Sequence, residues 1–366
     1  ALLEALAGAG VARNGPWRPA VAQRADMIAP LRSDPHRPMA VLLLTKPTPP
    51  EAVANKIREI APDIRCIERR EDADPAEIDA ILGWRIRPGY AASLPNLKLV
   101  CANAAGVEKL MTPDLPAQVP VTRIVDPLVN LGIAQHVATM ALWHARDFGR
   151  YARQQAERAW TRFPVEVATQ RVGILGVGAV GATIAQTLAG LGFEPRGWST
   201  RRRPELPFPS FGADELDAFL AESEILVCAL PLTPATAGIV DAAMLARLPR
   251  GAYFINVARG EHVVEPDLIE AVRSGHLAGA ALDVQRNEPM PPEDPLWSVE
   301  GISITPHIAG QTRLEIVASQ FVEAYRAMQR GEPIPRRVDR ARGYWRRALG
   351  LQPAGRVVRC VRVRVA

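Results

Sequence analysis

Gly176, Gly178 and Gly181 stand in G-x-G-x-x-G spacing, behind the apolar run "RVGIL" and ahead of an amphipathic stretch. A strand before the loop and a helix after it are the context in which this spacing binds a dinucleotide pyrophosphate. Gly176 permits the tight turn, Gly178 lets backbone approach the pyrophosphate, and Gly181 lets helix and strand pack closely. Ala179 and Val180 lie at the start of the expected helix, where free N–H groups and a partial positive charge favour phosphate.

The residues that follow address which dinucleotide. An acidic side chain about 20 residues beyond the loop binds the ribose hydroxyls of NAD. Here the second strand ends "GWSTRRRP": Ser199 holds that position, and Arg201, Arg202 and Arg203 follow. A carboxylate would repel a 2′-phosphate, whereas a hydroxyl and guanidinium groups bind it with charge-assisted bonds. NADP(H) is therefore the expected cofactor, with Ser199, Arg201 and Arg202 as its contacts and NAD(H) as the alternative. No residue pattern calls for a metal.

Three further stretches, "FINVARGEHV", "ALDVQRNEPMPPEDPLW" and "ITPHIAG", follow in order. Together with the glycine loop they resemble the D-2-hydroxyacid dehydrogenase family, over about residues 39–344. The segments "RIVDP", "GWSTRRRP" and "GEPIPRRVDRARGY" look most like its glyoxylate/hydroxypyruvate reductase A-type branch. The resemblance implies that Arg259, Glu288 and His307 carry the chemistry. It also implies that the small-residue loop at Ala105, Gly106 and Val107 holds a substrate carboxylate through backbone N–H groups. Leu230, Pro231 and Thr236 would line the cofactor cleft, Ala258 would fix the nicotinamide through its backbone, and Asp283 would accept from the nicotinamide amide.

Physical chemistry supports the trio independently. Hydride addition to a 2-oxo acid builds negative charge on the keto oxygen, which needs a proton donor and a fixed positive charge. His307 can donate the proton, and Glu288 can orient and stabilise the imidazolium. Arg259 can pair with the substrate carboxylate. The resemblance to the reductase branch implies glyoxylate and hydroxypyruvate as the substrates, so the expected reaction is reduction of these small 2-oxo acids by NADPH. Alternatives are a broader D-2-hydroxyacid or phosphite dehydrogenase, and a non-catalytic dinucleotide-sensing regulator of the same fold. A formate enzyme is disfavoured, because such relatives carry Gln where Glu288 stands.

The elements that must position these residues alternate between strand and helix. "MAVLLLT", "IDAILGW" and "LKLVCANAAG" read as strands, with "PPEAVANKIREIAP" a helix that has Pro in its first turn. From Gln170 a second unit supplies strands at "RVGIL", "FEPRGWS", "EILVCAL", "AYFINVA", "GAALDV" and "GISITP". This pattern predicts α/β architecture with parallel sheets covered on both faces. The expected whole is two Rossmann-like domains, a flavodoxin-like substrate domain and a dinucleotide-binding domain, around an interdomain cleft. The final helix, "TRLEIVASQFVEAYRAMQRG", would return to the first unit. The expected substrate domain is thus 39–125 plus 306–344, and the cofactor domain 126–305. A helix is expected over about 131–148, and by resemblance the segment 126–165 is a homodimerisation arm. His136, Met140, Trp143 and His144 are read as packing residues, and Trp297 as core. Residues 1–38 read as a poorly ordered extension and 345–366 as a basic tail.

At 366 residues the chain has room for two such domains, and 48% hydrophobic with 23% charged residues is ordinary for a globular protein. The net charge of +5 rests on arginines spread along the chain without a nucleic-acid-binding motif. No apolar run approaches the roughly 18 residues that span a bilayer, and residues 1–20 lack the basic start of a secretory signal. Cys66, Cys101, Cys228 and Cys360 form no C-x-x-C pair, so they read as free thiols of a reducing cytoplasm.

Overall fold

The computed structural model describes residues 39–164 and 167–340. The expected extensions at 1–38 and 345–366, with Cys360, lie outside the described residues.

The first unit opens with β1 (Ala40–Leu44), α1 (Pro50–Ile60), β2 (Arg65–Ile67), β3 (Ile78–Gly83), β4 (Leu99–Ala102) and β5 (Val121–Thr122). Its strands form a parallel sheet in the order β2-β1-β3-β4-β5, the flavodoxin-like arrangement. β3 and β4 are buried at every position, because a parallel sheet covered on both faces leaves no wet side.

Two helices follow, α2 (Pro127–Ala145) and α3 (Phe148–Glu157). α2 begins four residues before the expected 131. Asp126 caps it by accepting from the Leu128 N–H at 3.0 Å, and Pro127 occupies its first position. The second unit then runs β6 (Arg171–Leu175), α4 (Ala179–Ala189), β7 (Glu194–Trp198), β8 (Ser210–Phe211), α5 (Leu216–Ala221), β9 (Ile225–Cys228), α6 (Ala242–Leu245), β10 (Ala252–Asn256), α7 (Glu265–Arg273), β11 (Leu277–Leu282) and β12 (Ile302–Ile304). All seven strands are parallel, in the order β12-β11-β10-β9-β6-β7-β8. The order reverses between β6 and β9, and ligands of such sheets bind at the carboxyl ends of the strands beside that switch point.

Each sheet has a core on both faces. In the larger one, α2 and α4 supply Ala134, Val137, Ala141, Ile184 and Leu188 to one face, and Phe219, Phe254 and Leu268 fill the other. α8 (Leu314–Gln329) returns to the smaller sheet, where Val317 and Phe321 pack with Val53 and Ile57 of α1. Tyr325 of α8 donates its hydroxyl to Asp79 of β3 at 3.0 Å. The parallel α/β architecture and the returning helix are as expected.

The ring of His144 stacks on Tyr253 of β10 at 4.2 Å, which packs α2 against the larger sheet. Trp297 differs from the core assignment: it is 55% exposed, with its indole N–H on the Pro291 carbonyl at 3.0 Å. In the short turn Pro295–Ser298 it is the neighbouring Leu296 that points inward, which turns Trp297 out. Cys101 and Cys228 are buried free thiols, both pushed up to about 12 by burial, and Cys66 is half-buried, with burial pushing it up to about 11. No helix among the described residues is long and apolar enough to cross a membrane.

Candidate active site

The glycine loop joins β6 to α4 at the switch point. Gly176 has φ +96°, a region that disfavours a side chain, and a Cβ there would lie 2.8 Å from the Ala229 carbonyl oxygen. A Cβ on Gly181 would fall 2.0 Å from the Gly176 oxygen, so helix and loop can meet only at glycine. A Cβ on Gly178 would meet nothing within 4 Å, so the backbone at this point faces open space. α4 opens at Ala179 and Val180 without a side-chain cap, leaving its first N–H groups available to an anion. These features fit a dinucleotide pyrophosphate.

At the end of β7 the Ser199 hydroxyl donates to the Arg201 carbonyl at 2.6 Å and so shapes the arginine loop. The three arginines are not equivalent. Arg202 pairs with Glu215 at 3.1 Å, Arg203 pairs with Glu205, and Arg201 has no ion-pair partner among the described residues. Arg201 is thus the free guanidinium beside Ser199. Across the loop, the Thr236 hydroxyl donates to the Pro231 carbonyl at 2.7 Å, which ties the segment beginning at buried Leu230 into a turn.

Arg259, Glu288 and His307 stand beyond the ends of β10, β11 and β12. His307 Nδ1 lies 3.1 Å from both carboxylate oxygens of Glu288. This orients the ring with its Nδ1 proton on the carboxylate and leaves Nε2 for another partner. Burial pushes the Glu288 carboxyl up, but the hydrogen bond and charge of His307, the Gln285 N–H and the Lys109 ammonium outweigh it, holding it below the ordinary glutamate range. Gly260 seats the Arg259 turn against the Glu288 turn: a Cβ there would sit 2.0 Å from the Gln285 carbonyl carbon.

His307 has φ +55°, an uncommon conformation for a side-chain-bearing residue. Asp283 holds it there. The Asp283 carbonyl accepts from the His307 N–H at 2.8 Å. Its buried carboxylate accepts from the Thr305 hydroxyl at 2.6 Å and from the Ile308 and Ala309 N–H groups, each at 2.9 Å. Asp283 thereby shapes the histidine turn. The Ala258 N–H donates to Asn256 Oδ1 at 3.0 Å, and its carbonyl accepts from Arg259 Nη1 at 2.7 Å.

The loop Ala105–Gly106–Val107 follows β4 and reaches the arginine. A Cβ on Gly106 would lie 1.9 Å from Arg259 Nη2, so the guanidinium rests directly on this glycine. Four residues absent from the sequence-based site join here. Glu108 pairs with Arg259 Nη2 at 3.3 Å, and Lys109 with Glu288 at 3.7 Å. Trp84, just past β3, meets the His307 ring edge-on at 5.7 Å, and Lys109 lies 5.4 Å from the Trp84 ring centroid. Arg123, just past β5, is half-buried, with a buried Nε lacking a hydrogen-bond partner among the described residues. Their one sequence signal is position: each follows the carboxyl end of a parallel strand. The trio and the loop at 105–107 thus converge where the two sheets face each other. A cation, a proton donor and a carboxylate there suit charge development on a bound anion.

Residues 138–309 match the family model of the D-isomer specific 2-hydroxyacid dehydrogenase, NAD binding domain. The chain is 37% identical over 284 residues to the glyoxylate/hydroxypyruvate reductase A of Yersinia enterocolitica, covering 75% of this chain and 90% of that protein. Among solved structures, a D-isomer specific 2-hydroxyacid dehydrogenase from Xanthobacter autotrophicus Py2, in complex with NADPH and MES, is 41% identical with a TM-score of 0.75 over 84% of this chain and 100% of that one. An NADPH-dependent glyoxylate/hydroxypyruvate reductase from Sinorhizobium meliloti, with NADP and sulfate, is 33% identical with a TM-score of 0.77, again over 84% and 100%. With its two parallel sheets and glycine loop, the chain is an oxidoreductase that belongs to the D-isomer specific 2-hydroxyacid dehydrogenase family, on its glyoxylate/hydroxypyruvate reductase A-type branch.

Proposed function

We propose that this protein reduces small 2-oxo acids, glyoxylate to glycolate and hydroxypyruvate to D-glycerate, with NADPH preferred over NADH. The carrying observation is the 3.1 Å pairing of His307 with Glu288 beside an arginine that rests on Gly106. The names of the relatives from Yersinia and Sinorhizobium support the substrate choice.

Arg259 and the N–H groups of Ala105, Gly106 and Val107 bind the substrate carboxylate. Bound NADPH supplies the hydride. His307 Nε2 gives its proton to the keto oxygen, leaving a neutral imidazole and a hydroxy acid. Glu288 keeps the ring oriented and balances its charge before transfer. His307→Gln should remove most of the rate in both directions, measured as initial rates of glyoxylate reduction and of hydroxy acid oxidation.

Gly176, Gly178, Gly181 and the start of α4 hold the pyrophosphate, and Leu230, Pro231 and Thr236 line the cleft. Ser199 and Arg201 hold the 2′-phosphate; Arg202, paired with Glu215, is the lesser contributor. We assign 39–125 with 306–344 to a substrate domain, of which 341–344 lie outside the described residues, and 126–305 to a cofactor domain. Closure of the cleft excludes water from the reacting atoms. A cytoplasmic homodimer completes the proposal.

The test is initial rates with glyoxylate and hydroxypyruvate, each with NADPH and NADH, on the full chain and on Arg201→Ser. Much higher kcat/KM with NADPH is expected. A charged hydrogen bond of about 1.5–3 kcal/mol corresponds to a loss of about ten- to a hundredfold in that preference for Arg201→Ser. Equal rates with NADH would refute the cofactor assignment. No turnover from a folded, NADPH-binding protein would refute the substrate assignment.

A further inference from the structure

Arg259 has little freedom to receive a substrate carboxylate. Its Nη1 is turned onto the Ala258 carbonyl at 2.7 Å, and its Nη2 faces Glu108 at 3.3 Å above Gly106. A carboxylate held by the N–H groups at 105–107 would meet Arg259 at Nη2, the nitrogen that rests on Gly106 and already faces Glu108, so the two carboxylates crowd one side of the guanidinium. The pair is partly exposed, with 22% of the arginine and 35% of the glutamate side chain accessible, so exchange costs little.

A second cation waits for the displaced group. Arg123 is half-buried, with a buried Nε that has no partner among the described residues. The Ile124 N–H donates to the Ala104 carbonyl at 3.0 Å, which sets Arg123 beside the loop that leads to Glu108, and the Glu108 charge opposes the effect of burial on this guanidinium. An unpartnered buried donor is costly, so a carboxylate that can reach it gains by turning to it. Glu108 sits at the first position of the short turn Glu108–Leu110.

We propose that Glu108 is a positioning residue that exchanges between two arginines: it holds Arg259 until a substrate carboxylate takes that place, then turns to Arg123. The exchange leaves both guanidinium groups paired once substrate is bound, so the incoming anion is matched by a cation whose Nε had no partner before. This rests on the reading of Arg259 as the carboxylate-binding arginine.

Two measurements test it on the full chain. In the first, phenylglyoxal labelling of Arg259 is followed by peptide mass spectrometry, without turnover. Glu108→Gln should label about two- to five-fold faster than wild type, the range of a partly exposed ion pair, and oxamate should slow labelling in both. Unchanged labelling in Glu108→Gln would overturn the proposal. In the second, Arg123→Gln is compared in the wild-type and Glu108→Gln backgrounds by KM and kcat for glyoxylate and by oxamate affinity. With Glu108 present, the loss should fall on KM and oxamate affinity rather than on kcat, and Arg123→Lys should recover much of it. In the Glu108→Gln background the loss should vanish. An equal loss in both backgrounds, or none in either, would overturn the exchange. Absence of glyoxylate turnover by the wild type would instead count against the proposed function, and the labelling result does not depend on it.

Discussion

At the scale of single residues, the site's charges are set by who faces whom. Glu288 receives His307 on both oxygens and Lys109 from the other sheet, and these outweigh the upward push of burial. A carboxylate whose folded value is depressed contributes stability in full above its unfolded value. That contribution is lost as pH falls through the folded value. The wild type should therefore melt above Glu288→Gln near neutrality, and the gap should close as pH falls below about 5. Thermal unfolding of both proteins across that range checks this, and a gap that persists at acid pH would deny the carboxylate its electrostatic part. Asp283 shows the same logic without titration. Its oxygens are engaged with Thr305, Ile308 and Ala309, so its influence reaches the chemistry through the left-handed turn at His307.

At the scale of elements, glycines decide how closely two turns may approach, and two of them should behave oppositely. Gly260→Ala would place a methyl 2.0 Å from the Gln285 carbonyl carbon and 2.2 Å from the Arg286 nitrogen, both backbone. The turns carrying Arg259 and Glu288 must then separate. A misplacement of about 1 Å costs on the order of a hundredfold in rate, so kcat/KM should fall at least that far, with secondary structure retained by circular dichroism. Gly178→Ala meets no atom of the protein. Its melting temperature should stay within a degree or two of wild type while NADPH affinity drops; a destabilised protein with intact NADPH affinity would contradict the assignment of the loop. These elements were largely legible beforehand, because a strand buried on both faces leaves an unbroken apolar run such as "EILVCAL". β5 and β8, of two residues each, and β2, of three, were not, being too short to show any period. The trio and glycine loop were legible as motifs. Trp84, Glu108, Lys109 and Arg123 were not: Glu108 meets a residue 151 positions away, and nothing local encodes how two sheets face each other. Nor could the sequence choose among three arginines, since that choice depends on where Glu215 lands.

At the scale of the whole molecule, the arm after β5 leaves apolar surface uncovered. Leu128 is 52% exposed, Trp143 40%, Phe148 52% and Trp160 91%, and Trp143 stacks on Phe148 at 5.6 Å near the surface. Aromatic groups gathered on one arm are costly to leave in water and are enriched in interfaces between chains. Asp126, which caps α2, pairs with Arg313 at 3.2 Å just ahead of α8, so both chain crossings between the sheets are tied beside the arm. A second copy docked on the arm would brace the cofactor-binding half and leave the smaller sheet free to move over the cleft. Sedimentation equilibrium should therefore give a dimer, and the double substitution Trp143→Asp with Phe148→Asp should give a monomer. Because the glycine loop and the trio lie outside the arm, the monomer should still bind NADPH, and loss of turnover on dissociation would show that the brace serves the closing motion. A wild type that sediments as a monomer would leave these aromatics without that role.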